Sequence, residues 1–219
     1  MVVIKMKKKI IISVCLVISI VAVCAGVYIG DSCDVVIDPG HGGKDYGAIY
    51  GNRNEKDDNL NLALLVYENL EEMGIDAELT RDSDKKISLE KRCAFANRKR
   101  AELFVSLHRN SADGAKGVEI WVDDNETIKN NLKDRVLAES IINKLENAGI
   151  SQNRGVKEGY ARGEGNYYVN SHTLMPSCLV ELGFINSKTD NNLFDENIEE
   201  YAMAIAKAIA ENLKTAEAQ

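Results

Sequence analysis

The stretch VVIDPGHGGKDYGAIYGNRNEK, Val35–Lys56, decides how this chain is read. Val35, Val36 and Ile37 form a short apolar, β-branched run, which reads as a buried strand. Asp38-Pro39-Gly40 ends it, because proline fixes φ and glycine adopts angles closed to other residues. His41 then stands among Gly40, Gly42 and Gly43, so little side-chain bulk screens its imidazole. The chain has only three histidines. One presented this way at the carboxyl end of a strand marks a candidate site. The plainer alternative is a turn histidine bonded to its own loop.

Outward from this strand, helical and extended patterns alternate. Leu60, Ala63, Leu64, Tyr67 and Leu70 keep helical spacing up to Gly74. IDAELTR (Ile75–Arg81) reads as a strand and ISLEKRCAFANRKR (Ile87–Arg100) as a helix. ELFVSLH (Glu102–His108) and GVEIWV (Gly117–Val122) are strand-like, and a long helix runs through LKDRVLAESIINKLENAG to Gly149. SCLVELGF (Ser177–Phe184) is a further strand. The last helix carries Ile198, Ala202, Ile205, Ile209 and Leu213 on one face. This order predicts an α/β domain with a mostly parallel twisted sheet flanked by helices.

The chain has 219 residues, 45% hydrophobic and 28% charged, which suits one soluble core once the N-terminus is set aside. A net charge of −7, with no basic stripe in the folded part, gives no sign of a nucleic-acid partner, and none is expected. Residues 1–9 are basic, with Lys5, Lys7, Lys8 and Lys9, and an uninterrupted apolar run follows from Ile10 to Gly30. At roughly 1.5 Å per residue, such a run as a helix spans a bilayer core of about 30 Å. The expectation is an uncleaved signal anchor over 10–30 with residues 1–9 in the cytoplasm, and a cleaved signal peptide is second. Residues 31–219 then form the domain on the extracytoplasmic face, or a secreted domain if the signal is removed. Of five cysteines, Cys15 and Cys24 fall in the apolar run and Cys33 at its edge. No CxxC occurs, Cys178 reads as a small buried hydrophobe, and a Cys93–Cys178 disulfide is chemically possible outside the cell.

Ligands in such sheets gather at the carboxyl ends of the strands. There this chain offers His41, His108 and Glu181. A carboxylate between Val180 and Leu182 in a buried strand is costly unless something satisfies it. Two histidines and one carboxylate make a recurrent catalytic zinc shell with an open position for water. Glu55, just before a helix, is the best third ligand, with Asp45, Asp57 and Asp58 as rivals. Glu181 is then the base that takes the proton of the attacking water.

VVIDPGHGGKDYGA with NEK, then ISLEKRCAFAN, LFVSLHRNSAD…GVEIWV, NRGVK and MPSCLVELGFINS, together resemble the zinc-dependent N-acetylmuramoyl-L-alanine amidases of bacterial cell-wall turnover (Amidase_3). The resemblance runs from Val35 to the last helix, with the motifs in the family's order. It implies hydrolysis of the amide between N-acetylmuramic acid and L-alanine of the stem peptide in peptidoglycan. It also implies one Zn2+ ion on His41, Glu55 and His108, with Glu181 catalytic. Some family members carry an autoinhibitory helix and need an activator. The segment between His108 and Glu181 is too short for that insertion, which implies an open cleft, and any activator protein is unidentified. A membrane anchor in place of wall-binding repeats resembles sporulation- or germination-linked amidases.

Arg109 departs from the alanine usual after the second zinc histidine. It is either a cation for a substrate carboxylate or an exposed loop arginine. His172 is either a groove residue or a solvated one, and Glu119 either lies near the cleft or is a paired structural carboxylate. Arg92, Asn97 and Arg154 read as structural, while Trp121 reads as core before sugar platform. Two other functions compete: a zinc peptidase cutting within the stem peptide, and a wall-binding protein without turnover.

Overall fold

Alternation along the first strand, β1 (Val35–Pro39), divides the molecule into two cores: Val35 and Ile37 face one and Val36 the other. The computed structural model describes residues 32–124, 131–161 and 163–217. The expected cytoplasmic segment 1–9 and the signal anchor 10–30 lie outside the described residues. Among the described residues, no helix is long and apolar enough to cross a membrane.

After β1 come a hairpin of β2 (Ile49–Tyr50) and β3 (Arg53–Asn54), then α1 (Glu55–Glu72) and β4 (Ala77–Leu79). Next are α2 (Leu89–Lys99), β5 (Leu103–Asn110), β6 (Val118–Val122), α3 (Asn131–Asn147) and β7 (Asn153–Glu158). The chain ends with α4 (Tyr168–His172), β8 (Ser177–Phe184) and α5 (Lys188–Glu217), which kinks at Asn197. Six strands form one sheet in the order β4-β1-β5-β8-β6-β7.

The neighbouring pairs β4–β1, β1–β5 and β5–β8 are parallel, as are β6 and β7, but β6 runs antiparallel to β8. The physical reason is loop length. β6 lies one strand beyond β5 in the sheet, with β8 between them, and the connection 111–117 is too short to carry the chain back along the sheet to begin a parallel strand. The α/β class and the mostly parallel sheet therefore hold, while β6 and β7 reverse direction. The sequence periodicity also passed over β7, the hairpin and α4. The first two are half-buried or exposed, and α4 has only five residues.

The larger core packs α1, α3 and α5 on one face, through residues such as Leu62, Leu137 and Ile205 against Ile37, Val105 and Val180. The smaller core packs Cys93 and Ala96 of α2 and Val169 of α4 against Val36, Phe104 and Leu179. Cys93 and Cys178 are buried as thiols in different cores, so no disulfide joins them. Ser88 caps α2 by accepting from the Lys91 amide, and Arg98 and Lys99 favour its carboxyl end. Strand alternation puts Ser106, His108, Glu119 and Glu181 on the same face as the smaller core. The candidate residues His108 and Glu181 thus lie side by side on that face.

Candidate metal centre

His41 leaves β1 with φ at 61°, a left-handed conformation uncommon for a residue with a side chain. Two buried arginines hold the loop in it. Arg81 donates to the carbonyls of Pro39 (2.9 Å), Gly40 (2.8 Å) and Lys56 (2.9 Å). Arg92 donates to those of Pro39 (2.7 Å) and His41 (2.6 Å). Lys56 adds a bond to the Gly43 carbonyl at 3.0 Å, and its Asp84 partner accepts from the Gly43 amide at 2.7 Å. Arg92 is thus structural, as the sequence suggests. Arg81 was missed, because nothing in IDAELTR signals that its last residue folds back over a loop 40 residues earlier.

Arg92 also pairs with Asp38 at 2.6 Å, both groups almost fully buried. Burial works against the Asp38 charge, but Arg92 and the hydroxyls of Thr80 and Ser106 outweigh it and hold the carboxyl below its usual range. Asp38→Asn leaves Arg92 buried without its countercharge, and the expected loss at pH 7 is about 3–5 kcal/mol in denaturant unfolding. A depressed folded pKa stabilises above the unfolded value of about 3.9 and loses that contribution as pH falls through the folded one. The acid limb of the stability curve should therefore be shallower in the variant. A limb as steep as the wild type's refutes the assignment.

Glu55 is the first residue of α1, where the positive end of the helix favours a carboxylate. Its Oε1 lies 3.2 Å from His41 Nε2 and 2.8 Å from His108 Nδ1, and it accepts from the Arg109 amide at 3.2 Å. Its Oε2 accepts from the Ala48 amide at 2.8 Å. Burial opposes the Glu55 charge, yet the two imidazoles hold its carboxyl well below the usual range. One ligand atom from each of His41, Glu55 and His108 lies within 4.8 Å of the other two. Two imidazoles and one carboxylate at this spacing are the donor set of a catalytic Zn2+ with an open position, so the residues fit a divalent ion.

Asp45 is not a ligand but the partner of His41, 2.9 Å from Nδ1, which leaves Nε2 turned to the centre. Asp57 is an exposed acceptor for Asn54, and Asp58 pairs with Arg53 and Arg109. Of the four carboxylates considered, only Glu55 reaches both histidines.

A glycine shapes this packing. A Cβ on Gly40 would sit 2.2 Å from Cε1 of the His108 ring. Gly40→Ala therefore has to push His108 off Glu55, and the expected result is a loss of metal affinity of about 10-fold or more, read by chelator competition. Unchanged affinity would show that the ring has room to move.

Glu181 is the register partner of His108 on β8 and of Glu119 on β6. It lines the same cavity as His41, Glu55 and His108, a cleft of about 1040 Å³. Glu119 accepts from Asn110 (2.8 Å), Trp121 Nε1 (3.2 Å) and Arg154 (2.8 Å), so it is the structural carboxylate of the two. Trp121 is 9% exposed and belongs to the smaller core.

Arg109 is neither of the things expected of it. It lies within β5, one residue past His108, and its side chain therefore crosses to the far face. There it is buried, donates to Asp58 at 2.6 Å and Asn191 at 2.8 Å, and stacks 4.4 Å over Phe194. Burial lowers its pKa to about 10. His172 is exposed and stacked on Tyr168, 3.7 Å between centroids, and the Asn97 amide donates to its carbonyl.

The family model for N-acetylmuramoyl-L-alanine amidase (Amidase_3) matches residues 35–214. The chain is 37% identical over 180 residues to the uncharacterized protein YqiI of Bacillus subtilis, covering 82% of each. It is similar to the N-acetylmuramoyl-L-alanine amidase AmiC2 of Nostoc punctiforme, with 38% identity and a TM-score of 0.71 over 82% of this chain and 96% of that one. The CwlD amidase of Clostridioides difficile, solved in complex with the GerS lipoprotein, shares 26% identity and a TM-score of 0.74 over 84% of this chain and 100% of that one.

Proposed function

This chain belongs to the N-acetylmuramoyl-L-alanine amidase family, and on that premise we propose that it works with one Zn2+ ion held by His41, Glu55 and His108 and with Glu181 as its base. The bond hydrolysed is the amide between N-acetylmuramic acid and the L-alanine that begins the stem peptide of peptidoglycan. The observation that carries the zinc reading is the meeting of those three side chains on a cleft that Glu181 also lines.

Zn2+, when bound, supplies Lewis acidity and lowers the pKa of a water to about 7. Glu181 takes the proton of the attacking water and delivers it to the departing nitrogen of L-alanine, so one carboxyl serves as base and then acid. Asp45 keeps His41 turned toward the centre, and the Ala48 and Arg109 amides hold Glu55 in place.

The basic segment 1–9 and the apolar run 10–30 support a domain held at the extracytoplasmic face of the membrane, where its polymer lies. The complex of CwlD with a lipoprotein supports an accessory protein as a second partner. Mass analysis of muropeptides after incubation with intact sacculi tests the reaction, alongside the metal content of the purified chain. The expected products are peptides beginning with L-alanine and glycan freed of peptide. Cuts inside the stem peptide would replace this reading with a peptidase, and no cleavage at all with a wall-binding role.

A further inference from the structure

We propose that Tyr160 and Tyr167 form a platform on which a sugar ring of the glycan strand stacks beside the metal centre; this deepens the amidase reading and rests on it. The cleft of about 1040 Å³ is far larger than a single amide requires. After β4 the cleft lining includes Lys86, Ser88, Leu89 and Glu90, and after β7 it includes Tyr160, Tyr167 and Tyr168. The tyrosines give the cleft an aromatic stretch beside a mixed one.

A pyranose offers a flat face of C–H groups rimmed by hydroxyls, which suits an aromatic ring with a polar tip. The stem peptide carries ionisable groups and, next to the scissile amide, only the small methyl of alanine. The sugar therefore belongs on the tyrosines.

The platform is built before substrate arrives. The Tyr160 ring meets Tyr167 edge-on at 4.8 Å, and Tyr167 in turn lies 5.7 Å from the buried Trp121. Asn166 ties the segment down by exchanging two bonds with Asp124, at 2.9 and 2.7 Å. The Gly159 amide adds a bond to the Val122 carbonyl at 3.0 Å. Tyr160, 37% exposed, is the ring at the open end of this series. A rigid ring of two side-chain torsions loses little entropy on contact.

Trp121 is the only tryptophan of the chain and sits under the platform, so its fluorescence reports occupancy. Full-length wild-type protein titrated with peptide-free glycan strands, which contain no scissile amide, should show a saturable change in that signal. Tyr160→Ser should weaken binding about five- to tenfold, while Tyr160→Phe keeps the ring and stays near wild type. Metal content is expected to be the same in all three. Equal binding by Tyr160→Ser, or a response to free stem peptide and none to glycan, overturns the platform. Glycan binding without any cleavage of sacculi would sink the amidase reading and leave the platform standing. Cleavage of sacculi that is indifferent to Tyr160→Ser, in binding and in KM alike, does the reverse.

Discussion

Glu181→Gln is expected to stay folded and metal-loaded while its turnover of sacculi falls by about 10²–10⁴. The substitution keeps the volume of a side chain only 7% exposed in a fully buried strand, so the packing around it is preserved. What it removes is basicity. An amide cannot take the proton of an attacking water, nor return one to the leaving nitrogen. Glu181 stands outside the set of side chains that converge on Glu55, so its loss leaves His41, Glu55 and His108 in position. The neighbouring Glu119 is no substitute, because its oxygens are already engaged by Asn110, Trp121 and Arg154. Metal analysis and product mass spectrometry on the same preparation decide the matter. Zinc lost together with activity would make Glu181 a ligand, and activity retained would move the base elsewhere.

His108→Ala should lose both metal and activity. In the proposed centre His108 is one of three protein ligands, and replacing even a group that only supports a ligand costs about 10–100-fold in affinity. Direct removal of a ligand costs more, so the purified variant is expected to hold a small fraction of one ion per chain. The fold itself should survive. His108 is near the end of β5, 18% exposed at its side chain, and the strand's apolar residues Leu103, Val105 and Leu107 remain in the larger core. Thermal unfolding of metal-stripped wild type and variant separates the two effects: similar midpoints with different metal contents are expected. Undiminished zinc in the variant would falsify the assignment of His108 as a ligand.

Much of this site was legible in the sequence for a local reason. His41 is announced by the proline and glycines beside it, and Glu181 by being a charge in an apolar strand. His108 is announced by following an apolar run. Each of these signals is carried by adjacent residues. Glu55 was weaker, since a carboxylate in NRNEKDDNL has three acidic rivals and sequence does not say which way a helix start will point. Its choice depends on the N-terminus of α1 facing the ends of β1 and β5. Arg81 was invisible, because its role lies entirely in carbonyls contributed by distant segments. Arg109 was misjudged because the strand continues through it, and a single step along a strand reverses the face.

By itself, then, the sequence determined the alternation of strands and helices, the two imidazoles at strand ends and the buried carboxylate. These follow from side-chain periodicity and turn chemistry within a few residues. Only the tertiary structure decided that β6 and β7 run opposite to the rest, that Glu55 rather than Asp45, Asp57 or Asp58 meets both histidines, and that Tyr160, Tyr167 and Tyr168 gather on the same cleft. Those outcomes depend on strand order and on which face each helix buries. Both are set by burial summed over the whole domain, which no short stretch of chain contains.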